Sequence, residues 1–183
     1  VFVSPRQRAQ TTFHKLFEGQ ELPPHDTTES VREWDYGDYE GLTISQIKVK
    51  NPNWVIWRDG CPGGESPEDI TKRIDDTIAK RKELAKEIVS MKYLIVYKRY
   101  SYLLVMIVAH GHFLRAFISR WVEFHVCLGT HFNVEPASVA LLTYQHNNCA
   151  LYSILVKISP LTVPSRVVAE PSLTGLNLYA FGD

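Results

Sequence analysis

Three short segments hold the side chains best suited to chemistry: Ser4-Pro5-Arg6-Gln7-Arg8, Arg32-Glu33-Trp34-Asp35-Tyr36 and Ala109-His110-Gly111-His112. Arginine presents a planar, permanently charged fork that pairs with two phosphate oxygens, histidine exchanges a proton near neutrality, and a carboxyl can protonate a leaving oxygen. A crevice collecting Arg8, Glu33 and His110 would therefore suit a phosphate monoester. Taken singly, each residue has a bland explanation. An arginine in a first helical turn is usually a solvated charge, Glu33 among charged neighbours reads equally as a surface acid, and a strand-end histidine can be structural. Their combination is what points to phosphoryl chemistry.

Ser4, Tyr36 and Arg115 fall four residues before Arg8, three after Glu33 and five after His110. They are candidates to hold the substrate's body or a second phosphate, although a serine before proline is also a common turn former and Arg115 also suits a nearby acid. Gly63-Gly64-Glu65-Ser66 reads either as a pocket wall or as a turn followed by a helix cap. His110 and His112 stand two apart, a spacing that ligates zinc at some strand ends, but no third ligand stands near them, so no metal is expected.

The whole-chain balance narrows the partners. Lysine plus arginine count 20 and so do aspartate plus glutamate, so no bulk field draws the protein to nucleic acid or an anionic surface, and anion binding must be local. Lys98-Arg99-Tyr100 lacks the extended patch that tracks a nucleic-acid backbone. The apolar stretch from Tyr93 to Ala109 is cut by Lys98 and Arg99 and falls short of the roughly 18 uncharged residues a membrane span needs. Three separated cysteines, Cys61, Cys127 and Cys149, argue against a disulfide framework and for a reducing, cytoplasmic setting.

The elements that must position these residues follow from periodicity. Val1 to Val3 reads as a strand end, and Ala9, Phe13, Leu16 and Phe17 carry helical spacing behind Ser4-Pro5. Gly19 to Gly64 is loop-rich, with a short helix over Thr43 to Lys50. Ser66-Pro67-Glu68-Asp69 starts a helix whose stripe is Ile70, Ile74, Ile78, Leu84 and Ile88. Leu103 to Ala109 is a strand buried on both faces, followed by a helix with Leu114, Phe117, Ile118 and Trp121 inward, and Ala137 to Tyr144 and Leu151 to Ile158 are further strands. Strands alternating with helices predict an α/β layered fold, with the ligand beyond the carboxyl ends of the strands, where Ser4 to Arg8 and His110 should meet. Residues 1–158 are expected to form one domain and 159–183 an irregular tail.

Four ordered blocks also carry a resemblance. Ser4 to Thr12, Glu33 to Gly41, Pro62 to Ser66 with Arg73, and Ala109 to Ala116 resemble the histidine phosphatase, or phosphoglycerate-mutase-like, superfamily over residues 1 to about 148, with wording most like its fungal sedoheptulose-1,7-bisphosphatase branch. The resemblance implies a three-layer α/β/α sandwich around a mostly parallel sheet. It matches Arg8 to the arginine that clamps the transferred phosphoryl group, Glu33 to the general acid and His110 to the second catalytic histidine. It further implies metal-free and cofactor-free hydrolysis of small phosphorylated metabolites, sugar bisphosphates among them, through a phosphohistidine. A mutase that returns the phosphoryl group, and an inactive phosphate-binding protein, are the rival expectations.

Two departures from the family shape what is expected. The family's Arg-His-Gly triplet, with its nucleophilic histidine, ends a first strand well ahead of the Ser-Pro-Arg block, whereas this sequence opens at Val1. The chain as it stands is therefore expected to be nearly inactive, and its sheet to have an apolar slot where that central strand would lie. Val89 to Met106 reads as inserted text. That stretch and the part after Asn148 are expected to be either translated non-coding sequence or a lineage-specific addition.

Overall fold

The computed structural model describes residues 1–93, 103–136, 138–142 and 151–157. The irregular tail predicted for 159–183 lies outside them, as does most of the connection between the long helix and the strand leading to His110. Five strands form one sheet in the order β2-β1-β3-β5-β4: β1 (Phe2–Val3), β2 (Asp26–Thr27), β3 (Leu103–Ala109), β4 (Val139–Leu142) and β5 (Leu151–Lys157). All neighbours are parallel except β4, which runs antiparallel to β5 at the edge. β3 pairs with β1 on one side and along its whole length with β5 on the other.

Side-chain alternation divides the core between the two faces. Val3 and Val108 turn toward helix α1 (Gln7–Leu16), where Ala9 and Phe13 are fully buried and Met106, Val139 and Leu141 pack alongside. Ile107, Ala109, Ala140 and Leu142 face the opposite way, onto Ile70 and Ile74 of α4 (Pro67–Tyr93) and Phe113, Phe117 and Ile118 of α5 (Gly111–Trp121). Helices on both faces of a mostly parallel sheet give the three layers that the alternation of elements predicts. No described helix is long and apolar enough to cross a membrane.

Local chemistry sets the helix starts. Ser66 Oγ accepts from Asp69 N at 3.1 Å while Asp69 Oδ2 accepts from Ser66 N at 3.0 Å, a reciprocal cap that begins α4 where the sequence places it. In α2 (Ile44–Lys50), Thr43 and Gln46 form a capping box. The loop-rich stretch also holds α3 (Ile56–Asp59) and the two-residue β2, which periodicity cannot reveal because both its residues are exposed and an edge pair is too short to alternate.

Candidate active site

Val3 pairs with Val108, so β1 and β3 end side by side, and Ser4 continues the ladder by donating its N–H to Val108 O at 3.0 Å. Ser4 and His110 therefore emerge together at the carboxyl edge of adjacent parallel strands, where ligands bind in such sheets. Both are buried, Ser4 completely and His110 to all but 2%. Arg8, the second residue of α1, lies at the exposed mouth and donates Nε to His110 Nδ1 at 2.9 Å. Because the guanidinium can only donate, Nδ1 must be unprotonated, and the ring proton sits on Nε2, which faces Ser4 Oγ at 2.7 Å.

Burial pushes the His110 imidazole down to about 4, a shift that the Glu33 carboxylate opposes and that the Arg8 and Arg6 charges reinforce. The ring is therefore neutral at pH 7 in the folded chain, while an unfolded imidazole takes a proton below about 6.5. Its contribution to stability is complete above that pH and is lost as pH falls through the folded value, at up to about 1.4 kcal/mol per pH unit. Urea unfolding at steps from pH 7 to 4 should show this decline, flattened in His110→Gln. An identical slope in the variant would contradict the assignment.

Glu33 reaches the same place from another direction. Its Oε1 accepts from Phe113 N at 2.9 Å and from its neighbour Trp34 N at 3.0 Å. Phe113 is the third residue of α5, so the Glu33 carboxyl caps the helix that His110 begins. With Oε1 holding two N–H donors, a proton for transfer belongs on Oε2. Tyr36 follows one loop turn later, and its phenol lies 2.7 Å from His112 Nδ1. Burial foremost, then the Glu33 charge, pushes that phenol well above its usual range, so it stays protonated.

The loop bearing Glu33 is pinned by Glu65 and Arg73, which belong to the third block of the resemblance, Glu65 within the segment expected to be a pocket wall or a turn. Arg73 donates Nε to Glu65 Oε1 and Nη2 to Glu65 Oε2, both at 2.7 Å, and spends Nη1 on the carbonyls of Ser30 and Arg32 at 3.1 Å each. Glu65 in turn accepts from Asp35 N at 2.9 Å, and its carbonyl accepts from Trp34 Nε1. Removing one member of so buried a pair typically costs about 3–5 kcal/mol, which suits a fixed scaffold better than a solvated surface contact. Glycine is required where this loop crosses the next: a Cβ on Gly64 would lie 2.3 Å from Asp35 O, and one on Gly37 would lie 2.3 Å from Gly64 N.

Arg115 is not drawn into the Arg8–His110–Glu33 group by any of these contacts. It donates Nε to Gly129 O and Nη2 to Thr130 O, and its guanidinium lies 5.0 Å from the Trp57 ring centre. Trp57 packs against the His112 ring at 5.5 Å, so Arg115 supports the far wall of the site. Of the predicted residues, Ser4, Arg8 and His110 form one hydrogen-bonded chain, Glu33 and Tyr36 adjoin it through α5, and Arg115 stands behind. Elsewhere, a cavity of about 310 Å³ behind the Glu33 loop mixes Lys72, Arg73 and Lys80 with Asp69 and Asp76, and so offers a phosphate dianion little net attraction.

Comparison with known proteins places these observations. A family profile described as the histidine phosphatase superfamily (branch 1) matches residues 1–156. Over 146 residues the chain is 38% identical to an acid phosphatase of Mycobacterium tuberculosis, covering 80% of this chain and 63% of that protein. Over 138 residues it is 33% identical to sedoheptulose 1,7-bisphosphatase of Saccharomyces cerevisiae, covering 66% of this chain and 46% of that one. The chain thus spans less than two thirds of either relative. Among solved structures, an open reading frame product of M. tuberculosis superposes with a TM-score of 0.60 at 34% identity over 86% of this chain and 71% of the other. An α-ribazole phosphatase of Shigella flexneri shares the fold at 0.61 and 19% identity, covering 88% of this chain and 75% of that one.

Proposed function

Given that the chain belongs to the histidine phosphatase superfamily, we propose that Ser4, Arg8, Glu33 and His110 form the phosphoryl-binding and proton-delivering part of a phosphatase site for small phosphorylated metabolites. Sugar bisphosphates are the substrate class that the resemblance to the yeast bisphosphatase favours. The observation that carries this reading is the unbroken line Arg8–His110–Ser4 at the ends of two parallel strands, with the Glu33 carboxyl bound to the helix that His110 starts.

In this reading Arg8 turns its two Nη groups to the phosphoryl oxygens, and the His110 ring, held between Arg8 Nε and Ser4 Oγ, keeps that guanidinium aimed as charge builds on the equatorial oxygens. A histidine nitrogen attacks phosphorus, the bond to the leaving oxygen breaks, and Glu33 Oε2 supplies that oxygen's proton. Water then cleaves the phosphohistidine and the proton returns to Glu33. The attacking histidine belongs to an Arg-His-Gly segment, a triplet that does not occur in the 183 residues. Tyr36 flanks the leaving group, and Arg115 keeps Nη1 for a remote anionic group of the substrate. The few, separated cysteines suit a reducing compartment such as the cytoplasm.

Product analysis with sedoheptulose 1,7-bisphosphate and with a phosphoglycerate tests the proposal, using the 183-residue chain and a form that carries the Arg-His-Gly segment. Inorganic phosphate released from the bisphosphate by the longer form, and next to none by the shorter, is the expected result. An isomerised phosphoglycerate without phosphate release would make the protein a mutase, and binding without turnover by the longer form would leave a phosphate-binding protein.

A further inference from the structure

Arg73 stands on α4, which carries no residue of the phosphoryl site, yet its guanidinium reaches both supports of the Glu33 carboxyl. Oε1 hangs between two backbone donors, Trp34 N on its own loop and Phe113 N on α5. On the loop side, Arg73 Nη1 donates to the carbonyls of Ser30 and Arg32 at 3.1 Å each, and Nη2 reaches the Glu33 carbonyl at 3.4 Å. On the helix side, the guanidinium carbon lies 5.1 Å from the centre of the Phe113 ring, which belongs to the residue whose N–H holds Oε1. Glu65 fixes the plane of the fork by accepting from Nε and Nη2 at 2.7 Å, with both side chains largely buried. Through its own bonds to Asp35 N and Trp34 Nε1, Glu65 also clips the loop just beyond Glu33.

We infer that Arg73 is a positioning residue for proton delivery: by tying the Glu33 loop and α5 to one guanidinium, it keeps Trp34 N and Phe113 N at the separation that fixes Oε1 and so aims Oε2 at the leaving oxygen. The inference rests on the reading of Glu33 as the general acid. Arginine's shape matters here. Its rigid plane serves two carbonyls and a carboxylate with its edges while its face lies on an aromatic ring, a span that a lysine ammonium cannot cover although it keeps the charge. A misplacement of about 1 Å at a reacting group can cost about a hundredfold in rate, so loosening either support should appear in kcat. Because Arg73 acts through Glu33 alone, its loss should be felt where acid assistance is needed.

That selectivity supplies the test. A leaving group as poor as an alkoxide needs the proton, whereas p-nitrophenolate departs without much help. Arg73→Ala would strand the buried Glu65 carboxylate and endanger folding, so Arg73→Lys is the variant to use. In the form carrying the Arg-His-Gly segment, Arg73→Lys should lower kcat on glycerol phosphate by about tenfold and lower it several-fold less on p-nitrophenyl phosphate, with KM for both nearly unchanged. It should add little once Glu33→Gln is in place. Equal losses on the two substrates, or losses that multiply fully with Glu33→Gln, would overturn the inference and leave Arg73 a part of the scaffold only. Should the unsubstituted protein turn over neither substrate, the phosphatase reading fails by itself. The positioning role is then judged by amide hydrogen exchange in the 183-residue chain: a Phe113 N–H that exchanges about tenfold faster in Arg73→Lys, with Phe117 N–H unchanged, supports it, and an unchanged Phe113 N–H refutes it.

Discussion

His110→Ala is expected to lower turnover of a small phosphate monoester by about two orders of magnitude or more in a form that carries the Arg-His-Gly segment. The size follows from how many connections the ring makes. The imidazole receives the Arg8 Nε–H on one nitrogen and faces Ser4 Oγ with the other, so its removal frees both the guanidinium that should clamp the phosphoryl group and the Ser4 hydroxyl beside it. Since both effects act on charge that grows toward the transition state, kcat should fall more than KM rises. Steady-state kinetics on His110→Ala and on Arg8→Ala check this, and the double variant should lose far less than the product of the single losses because the two side chains act through one contact. Unchanged turnover in His110→Ala would remove the ring from the mechanism.

Glu33→Gln should cost a similar two or more orders on an alkyl phosphate, with the loss shrinking as the leaving group becomes more acidic. Glutamine is the informative replacement. Its side-chain oxygen can still accept from Trp34 N and Phe113 N, which preserves the cap on α5, but it cannot deliver a carboxyl proton. Alanine would remove the cap as well, a change worth about 0.5–2 kcal/mol of stability that would blur the kinetic reading. Rates across phosphate esters of graded leaving-group basicity measure the effect, and a loss independent of the leaving group would assign Glu33 to structure instead of proton transfer.

The parts of this site legible in the sequence are those fixed by short-range pattern. Seven apolar residues ending at His110-Gly111 announce a buried strand and the start of a helix, and Val1 to Val3 before Ser4 announces a second, so the meeting of Ser4, Arg8 and His110 follows from the α/β rule alone. Ser66 and Asp69 likewise reveal the start of α4 because a cap is a local device. The scaffold of Glu33 is another matter. Glu65 and Arg73 meet across eight positions and then reach back to Ser30 and Arg32, contacts that no periodicity encodes. Arg115 is legible only in part for the same reason: five residues beyond His110 it stands in the right part of α5, while two of its donors bind the Gly129–Thr130 turn, which only tertiary packing brings near.

A crystal of the 183-residue chain soaked in inorganic phosphate tests the central claim most directly, since it asks where an anion goes without requiring turnover. The site predicts the phosphate on the Arg8 guanidinium, within about 3 Å of it, beside the His110 ring and facing Glu33 Oε2. Phosphate held instead by Lys72 and Lys80 behind the Glu33 loop, with the Arg8–His110 mouth empty, would contradict it.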